Sequence, residues 1–252
     1  MQDDVNTYEG DTRVFSVNKG EFDVRNRAWM LDLLEIGAKT AVTEVDIILY
    51  GLLYNWWVAA EVNYAIAGEG WHVPTEAELL VLINYLGGLS VSGGKLKEIG
   101  TTYWDSPNVG ATNEVGFYSR GTGARDGEEG TFGYLKTYHY LWTADSIDPP
   151  YDFNAVGYRL ARASAITTYS ATRIKKEGMS IRLVKDNSVE AQYTGNDGKV
   201  YDCIKIGDQV WLASNLAETK YRNGDLIPEV TDNAAWAALT TAGMCYYNNV
   251  EI

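Results

Sequence analysis

The sequence predicts an α+β domain in which short, twisted antiparallel strands and two or more helices are joined by long packed loops. Three observations predict it. One sharply bounded amphipathic helix begins at Thr75, strand-like segments elsewhere are short and bracketed by turn residues, and stretches dense in Gly, Asn, Asp and Thr still keep large aromatic rings. Eight Trp and eighteen Tyr stand beside only five Phe, a balance that suits packed loops and is also common at recognition surfaces. With 252 residues, 46% hydrophobic and 22% charged, the chain is long enough for a core and too mixed for a disordered or membrane class. No apolar run approaches the roughly 20 residues of a spanning helix, so membrane insertion is not expected. The opening MQDDVNTYEGD lacks the basic and apolar regions of a signal peptide, so a signal was either removed or not needed. Twenty-one basic residues against 34 acidic ones, a net charge of −13, speak against nucleic acid as a partner, because phosphate binding needs clustered Lys and Arg.

In chain order, residues 1–46 read as an N-terminal extension. RVFSV and EFDV suggest a hairpin around Asn18, Lys19 and Gly20, and AWMLDLLEIG suggests one helical turn. VDIILYGLLYNWWVAA opens as a buried strand and runs into an aromatic segment with Trp56 and Trp57 in the core. Thr75 and Glu78 then form a capping box. Leu79, Leu82, Ile83 and Leu86 fall on one face, Trp71 belongs to the same core, and Gly87 and Gly88 stop the helix. The long loop system that follows is pinned by Tyr103, Trp104 and Phe117. YHYLWTA, with Trp142 inside it, reads as a strand. Asp126, Glu128 and Glu129 make an exposed acidic turn whose loose spacing gives no calcium site. His72 and His139 have no Cys or His neighbours, so no metal and no cofactor is assigned, and His72 reads as a satisfied structural donor. Toward the end, Asn196, Asp197 and Gly198 form a hairpin turn, VYDCIKI and QVWLA pair as strands, and Thr231 or Asp232 caps a short helix through Trp236 and Leu239. Cys203 and Cys245 are either a disulfide or buried thiols.

YGLLYNWW, GWHVPT, the Leu-Gly-Gly after the helix, GGKLKE with the following GATNE and GF, and GMSIRLVKD resemble the Fibrobacter succinogenes major paralogous domain in its own order. The resemblance implies a C-type lectin-like fold related to formylglycine-generating enzymes, with residues 47–186 as its core. Residues 187–252 resemble the amino-terminal part of the same family yet follow its carboxy-terminal motif. Two explanations compete, a circular permutation in which this segment completes the core and a second repeat cut short, and the reading here is permutation. A faint likeness of Trp29, Met30, Leu31 and Leu34 to Trp211, Leu212 and Leu216 suggests a degenerate copy of a family element in the head. Where relatives often carry cysteines, this chain has Glu69 and Leu183. The related oxidases need a reactive cysteine pair, and no other nucleophile with a base beside it stands out, so the chain is not expected to be an enzyme.

Function is therefore expected on a surface. In the family, the stretch equivalent to residues 142–178 is in some phage and bacterial members rewritten by diversity-generating retroelements. Here it loses periodicity and fills with Tyr, Ser, Thr, Ile and Arg between two kept motifs, as an ordinary exposed hairpin also would. The expectation is an extracellular, cell-surface or virion protein that binds a protein or glycan ligand. Tyr151, Asp152, Phe153, Tyr158, Arg159, Arg162, Ser164, Ile166, Thr167, Thr168, Tyr169, Thr172 and Ile174 are its candidate contacts. The alternatives are a fixed-specificity carbohydrate-binding adhesin module and, behind it, a formylglycine-type oxidase.

Overall fold

Thr75 starts a ten-residue amphipathic helix as its sequence demands. Its hydroxyl accepts from the Glu78 amide at 3.3 Å while a Glu78 carboxylate oxygen accepts from the Thr75 amide at 2.8 Å, closing both halves of the capping box. In the computed structural model, which describes residues 50–61, 65–147, 153–186 and 191–249, this helix is α2 (Glu76–Tyr85), after a short α1 (Trp56–Ala60). Leu79, Leu82, Ile83 and Leu86 are all at most 2% exposed, and Trp71 is buried as well. The chain divides into a unit Met1–Ala41 and a unit Val42–Ile252, and every described residue belongs to the second. The hairpin and helical turn expected before residue 46, and the strand expected to open at residue 45, lie outside the described residues.

Residues 89–96, expected to begin a loop, instead form α3 (Leu89–Leu96). Two glycines inside it go against helix propensity, and packing decides the outcome. A Cβ on Gly93 would come within 2.7 Å of the Ile166 carbonyl, so only glycine lets this helix lie against the loop at residues 161–167. Trp56 is buried and Trp57 half-buried, on the α1 turn rather than on a strand.

Among the described residues the architecture is mixed α+β with three sheets. Five strands, in the order β3 (Phe132–Leu135), β2 (Thr122–Arg125), β4 (Tyr138–Ser146), β5 (Asn154–Ala161) and β6 (Thr168–Ile174), make the largest. Its pairs are antiparallel except β2 with β4. A second sheet runs β7 (Val184–Asp186), β10 (Gln209–Leu212), β9 (Val200–Ile206) and β8 (Gln192–Thr194). The third pairs β1 (Leu53–Tyr54) with β11 (Met244–Cys245). Asp232 caps α4 (Asn233–Ala237) through the Ala235 amide at 2.8 Å. Cys203 and Cys245 are not joined by a disulfide.

The segment after residue 190 thus completes sheets begun before residue 187. Trp211 and Trp236 are 0% exposed, and Leu212, Leu216, Ile227 and Met244 share one apolar cluster with Tyr54, Trp142 and Met179. Buried cations fasten the long loops to this core. Lys97 donates to the carbonyls of Val109, Ala161 and Ser164 at 2.8–2.9 Å. Arg182 donates to Asn215 and to the carbonyls of Phe117, Leu212 and Tyr118. Arg125 lies between the rings of Phe132 and Trp236, 4.7 and 4.4 Å from their centres, and donates to the carbonyls of Gly130, Val230 and Thr231. Among the described residues none of the three bonds a carboxylate; their oxygen partners are main-chain carbonyls and side-chain amides.

Candidate functional site

Cross-strand register sorts the side chains of the large sheet onto two faces. Tyr140, Arg159 and Thr168 stand in one row, and Trp142, Gly157 and Ser170 in another on the same face. Leu141, Tyr158 and Tyr169 form the row between and point the other way.

The first face begins as core and ends open. At its inner end Trp142 is buried, and Gly157 leaves room for the Met179 methyl, which a Cβ would meet at 2.8 Å. Farther along, Tyr140 is 5% and Tyr134 60% exposed, with Tyr138 and Arg159 between them in burial. The rings of Tyr134, Tyr138 and Tyr140 form a triangle with centres 5.3, 5.7 and 6.3 Å apart. Arg159 lies 4.8 Å over Tyr138, and Arg173 lies 4.8 Å over Tyr140. Burial raises the pKa of Tyr140 against the pull of Arg173 and Arg159. The two arginines differ in what holds them. Arg173 is paired with Glu177 at 3.0 Å, whereas Arg159 is hydrogen-bonded to the Tyr140 hydroxyl, has no carboxylate partner among the described residues, and its Nε meets no hydrogen-bond acceptor. Hydroxyls line the outer edge, where Ser170 and Thr172 lie 3.4 Å apart beside Thr168.

Of the candidate contacts, Arg159 and Thr168 lie on this face, and Thr172 is exposed beside Ser170. Phe153 is 61% exposed at the start of β5, and Ile174 is half-buried at the end of β6. Tyr151 and Asp152 lie outside the described residues. Tyr158 and Thr167, expected as exposed contacts, are each 3% exposed; both point to the helix side, where they line an apolar pocket with Leu79, Ile83 and Leu160. Tyr169 is exposed on that opposite face, its ring 5.5 Å from that of Tyr158. Arg162 donates to the Ser106 carbonyl, and Ser164 accepts from Lys97 and from the Ile166 amide. Those two hold the turn, with Ile166 exposed at its tip. Sequence reasoning missed Tyr134, Tyr138, Tyr140, Ser170 and Arg173. Alternation within the segment already read as a strand, Tyr138-His-Tyr-Leu-Trp142, carried the signal for the middle of the face.

The polar side chains of His72, Glu78 and Asp126 are occupied within the fold. His72 Nε2 lies 2.6 Å from Glu78, and although burial pushes the Glu78 carboxyl up, the Thr75 amide and hydroxyl and His72 hold it below its usual value. Asp126 accepts from the Glu128 and Glu129 amides at 2.8 Å, closing its own turn. The cavity between Leu79, Phe117, His139 and Leu141 measures about 20 Å³, enough for one water and not for an organic ligand. Among the described residues no group of three or more His, Cys, Asp or Glu could hold a metal ion, and no single helix is long and apolar enough to cross a membrane.

A mixed sheet-and-helix domain with one half-open aromatic face is the class this geometry defines. The chain belongs to the Fibrobacter succinogenes major domain family, which matches residues 26–185, more than half of its length. The match begins within the stretch read above as an extension. No curated protein and no solved structure matches the chain.

Proposed function

We propose that this protein is a ligand-binding domain on a C-type lectin-like scaffold, displayed at a cell or virion surface, with the Tyr134, Tyr138, Arg159, Thr168, Ser170 and Thr172 face of the large sheet as its site. One observation carries the reading. Aromatic, cationic and hydroxyl side chains converge there, partly open, on strands whose inner ends are locked into the core, which is the arrangement of rigid anchors with adaptable polar neighbours that recognition favours. Residues 191–249 supply strands to this scaffold in permuted order. Retroelement diversification would act on the exposed positions among residues 142–178, and a second DNA copy differing only at adenines would reveal it.

A fixed-specificity carbohydrate-binding adhesin is the second reading. Favouring it, Arg159, Tyr138, Tyr140, Arg173 and Glu177 interlock, so replacing one disturbs the next. The test is to replace Tyr134, Thr168 and Thr172 together by Ala and to screen parent and variant against cell-surface and glycan libraries. The expected outcome is lost binding with an unfolding midpoint close to the parent, since exposed substitutions usually change stability by no more than about 0.5 kcal/mol. Unchanged binding would move the site elsewhere on the molecule.

A further inference from the structure

Arg159 has unused donors. Each of the other arginines on or near the large sheet is engaged: Arg125 and Arg182 by carbonyls, Arg162 by Ser106, Arg120 by Glu98 at 2.5 Å, and Arg173 by Glu177. Arg159 is stacked on Tyr138 and hydrogen-bonded to the Tyr140 hydroxyl, which together fix the guanidinium plane, while its Nε is buried without an acceptor and no carboxylate pairs with it among the described residues. A planar guanidinium fixed by an aromatic ring is preorganised to offer its outer N–H groups to an oxyanion. The chain carries a net charge of −13, so attraction for an anion must come from a local group of this kind. Around Arg159 lie tyrosine rings on one side and the Thr168 and Ser170 hydroxyls on the other.

From this we propose that the ligand carries a carboxylate or sulfate seated on Arg159 and that it is an acidic polysaccharide, whose sugar rings lie on Tyr134 and Tyr138 and whose hydroxyls meet Thr168 and Ser170. The inference rests on the binding-face reading and narrows it to one ligand chemistry. Neutral hydroxyls at the edge match sugar hydroxyls.

Binding of the whole chain to oligogalacturonate, hyaluronan and heparan sulfate oligosaccharides is measured by calorimetry, with carboxyl-reduced or desulfated versions, polyglutamate and inorganic sulfate as comparisons. At least one acidic oligosaccharide should bind, its neutral version should bind at least about tenfold more weakly, and Arg159→Lys, which keeps the charge but loses the fork, should also lose about tenfold. Arg159→Gln should abolish binding, and circular dichroism and the thermal midpoint of each variant show whether it is folded. The paired carboxyl-reduced ligands test the same point on the unaltered protein if a variant does not fold. Neutral and acidic sugars bound equally, with loss in Tyr134→Ala, would overturn the anionic inference and leave the face standing. Binding insensitive to both Arg159→Gln and Tyr134→Ala would overturn the face itself. Polyglutamate binding as tight as any oligosaccharide, binding of inorganic sulfate alone, or no binding to any acidic oligosaccharide would overturn the proposal.

Discussion

Glu218 is fully buried, with Oε2 accepting from the Asp197 amide at 3.0 Å and the Tyr201 hydroxyl beside its carboxylate. Burial first, and then the charge of Asp197, push its carboxyl up to about 7 from 4.5. A folded pKa above the unfolded one means that the protonated form is favoured. Its contribution is complete below about pH 4.5, drains away as the pH climbs toward about 7, and is gone above that, a swing on the order of 3 kcal/mol. Asp197 works the other way. Burial raises its pKa, but Lys199 and Thr219 hold it below its usual value, so its contribution is lost as the pH falls through the acid range. The thermal midpoint should therefore rise when the pH is lowered from about 7.5 to about 5, and Glu218→Gln should flatten that slope; a flat profile in the parent would contradict this. The same scale separates two residues of adjacent strands. Tyr158→Ala should cost about 3 to 5 kcal/mol as a large-to-small core change, while Thr172→Ala should change stability by no more than about 0.5 kcal/mol, both read by denaturant unfolding.

Helix α2 was legible in full, because its cap, apolar stripe and stop are all local signals. Leu82, 0% exposed, is its test. Leu82→Ala should cost about 2 to 5 kcal/mol, and an unchanged midpoint would contradict the packing. Helix α3 was illegible for the converse reason. Gly93 lowers local helix propensity, and what favours the helix is contact with residues 165 and 166, distant in sequence. Gly→Ala in a helix normally stabilises by roughly 0.5–1 kcal/mol, but Gly93→Ala should destabilise, since the new Cβ lies 2.7 Å from the Ile166 carbonyl; chemical denaturation gives the sign. On the large sheet, the strands were legible from their composition, but the sorting of Tyr158 inward and Arg159 outward was not. That sorting depends on register, and the pairing of β5 with β6 shifts between Ala155 and Gly157, so counting alternate residues through residues 151–174 loses phase.

For the whole molecule, the resemblance of residues 191–252 to a family's beginning was legible, while their place came only from long-range contact. β10 pairs with β7, β11 pairs with β1, and the Tyr54 hydroxyl donates to the Glu218 carbonyl at 2.8 Å. Removing residues 191–252 should strip Tyr54, Met179 and Leu183 of their apolar neighbours and leave β7 without its strand partner β10. The shortened chain should melt without cooperativity or aggregate; a monomeric, sharply melting 1–190 fragment would show that the tail is dispensable. The buried cations described above bear on how such a protein changes over generations. Lys97, Arg125 and Arg182 grip the chain mostly by carbonyl oxygens, an atom every amino acid supplies. A loop held that way can exchange most of its side chains without letting go of its anchor. Drift at the exposed positions of residues 98–116, 161–167 and 228–233 is thereby uncoupled from the shape they hold, and the burden of constancy falls on the basic side chains and the few buried residues, Trp104 among them, that pin the same loops.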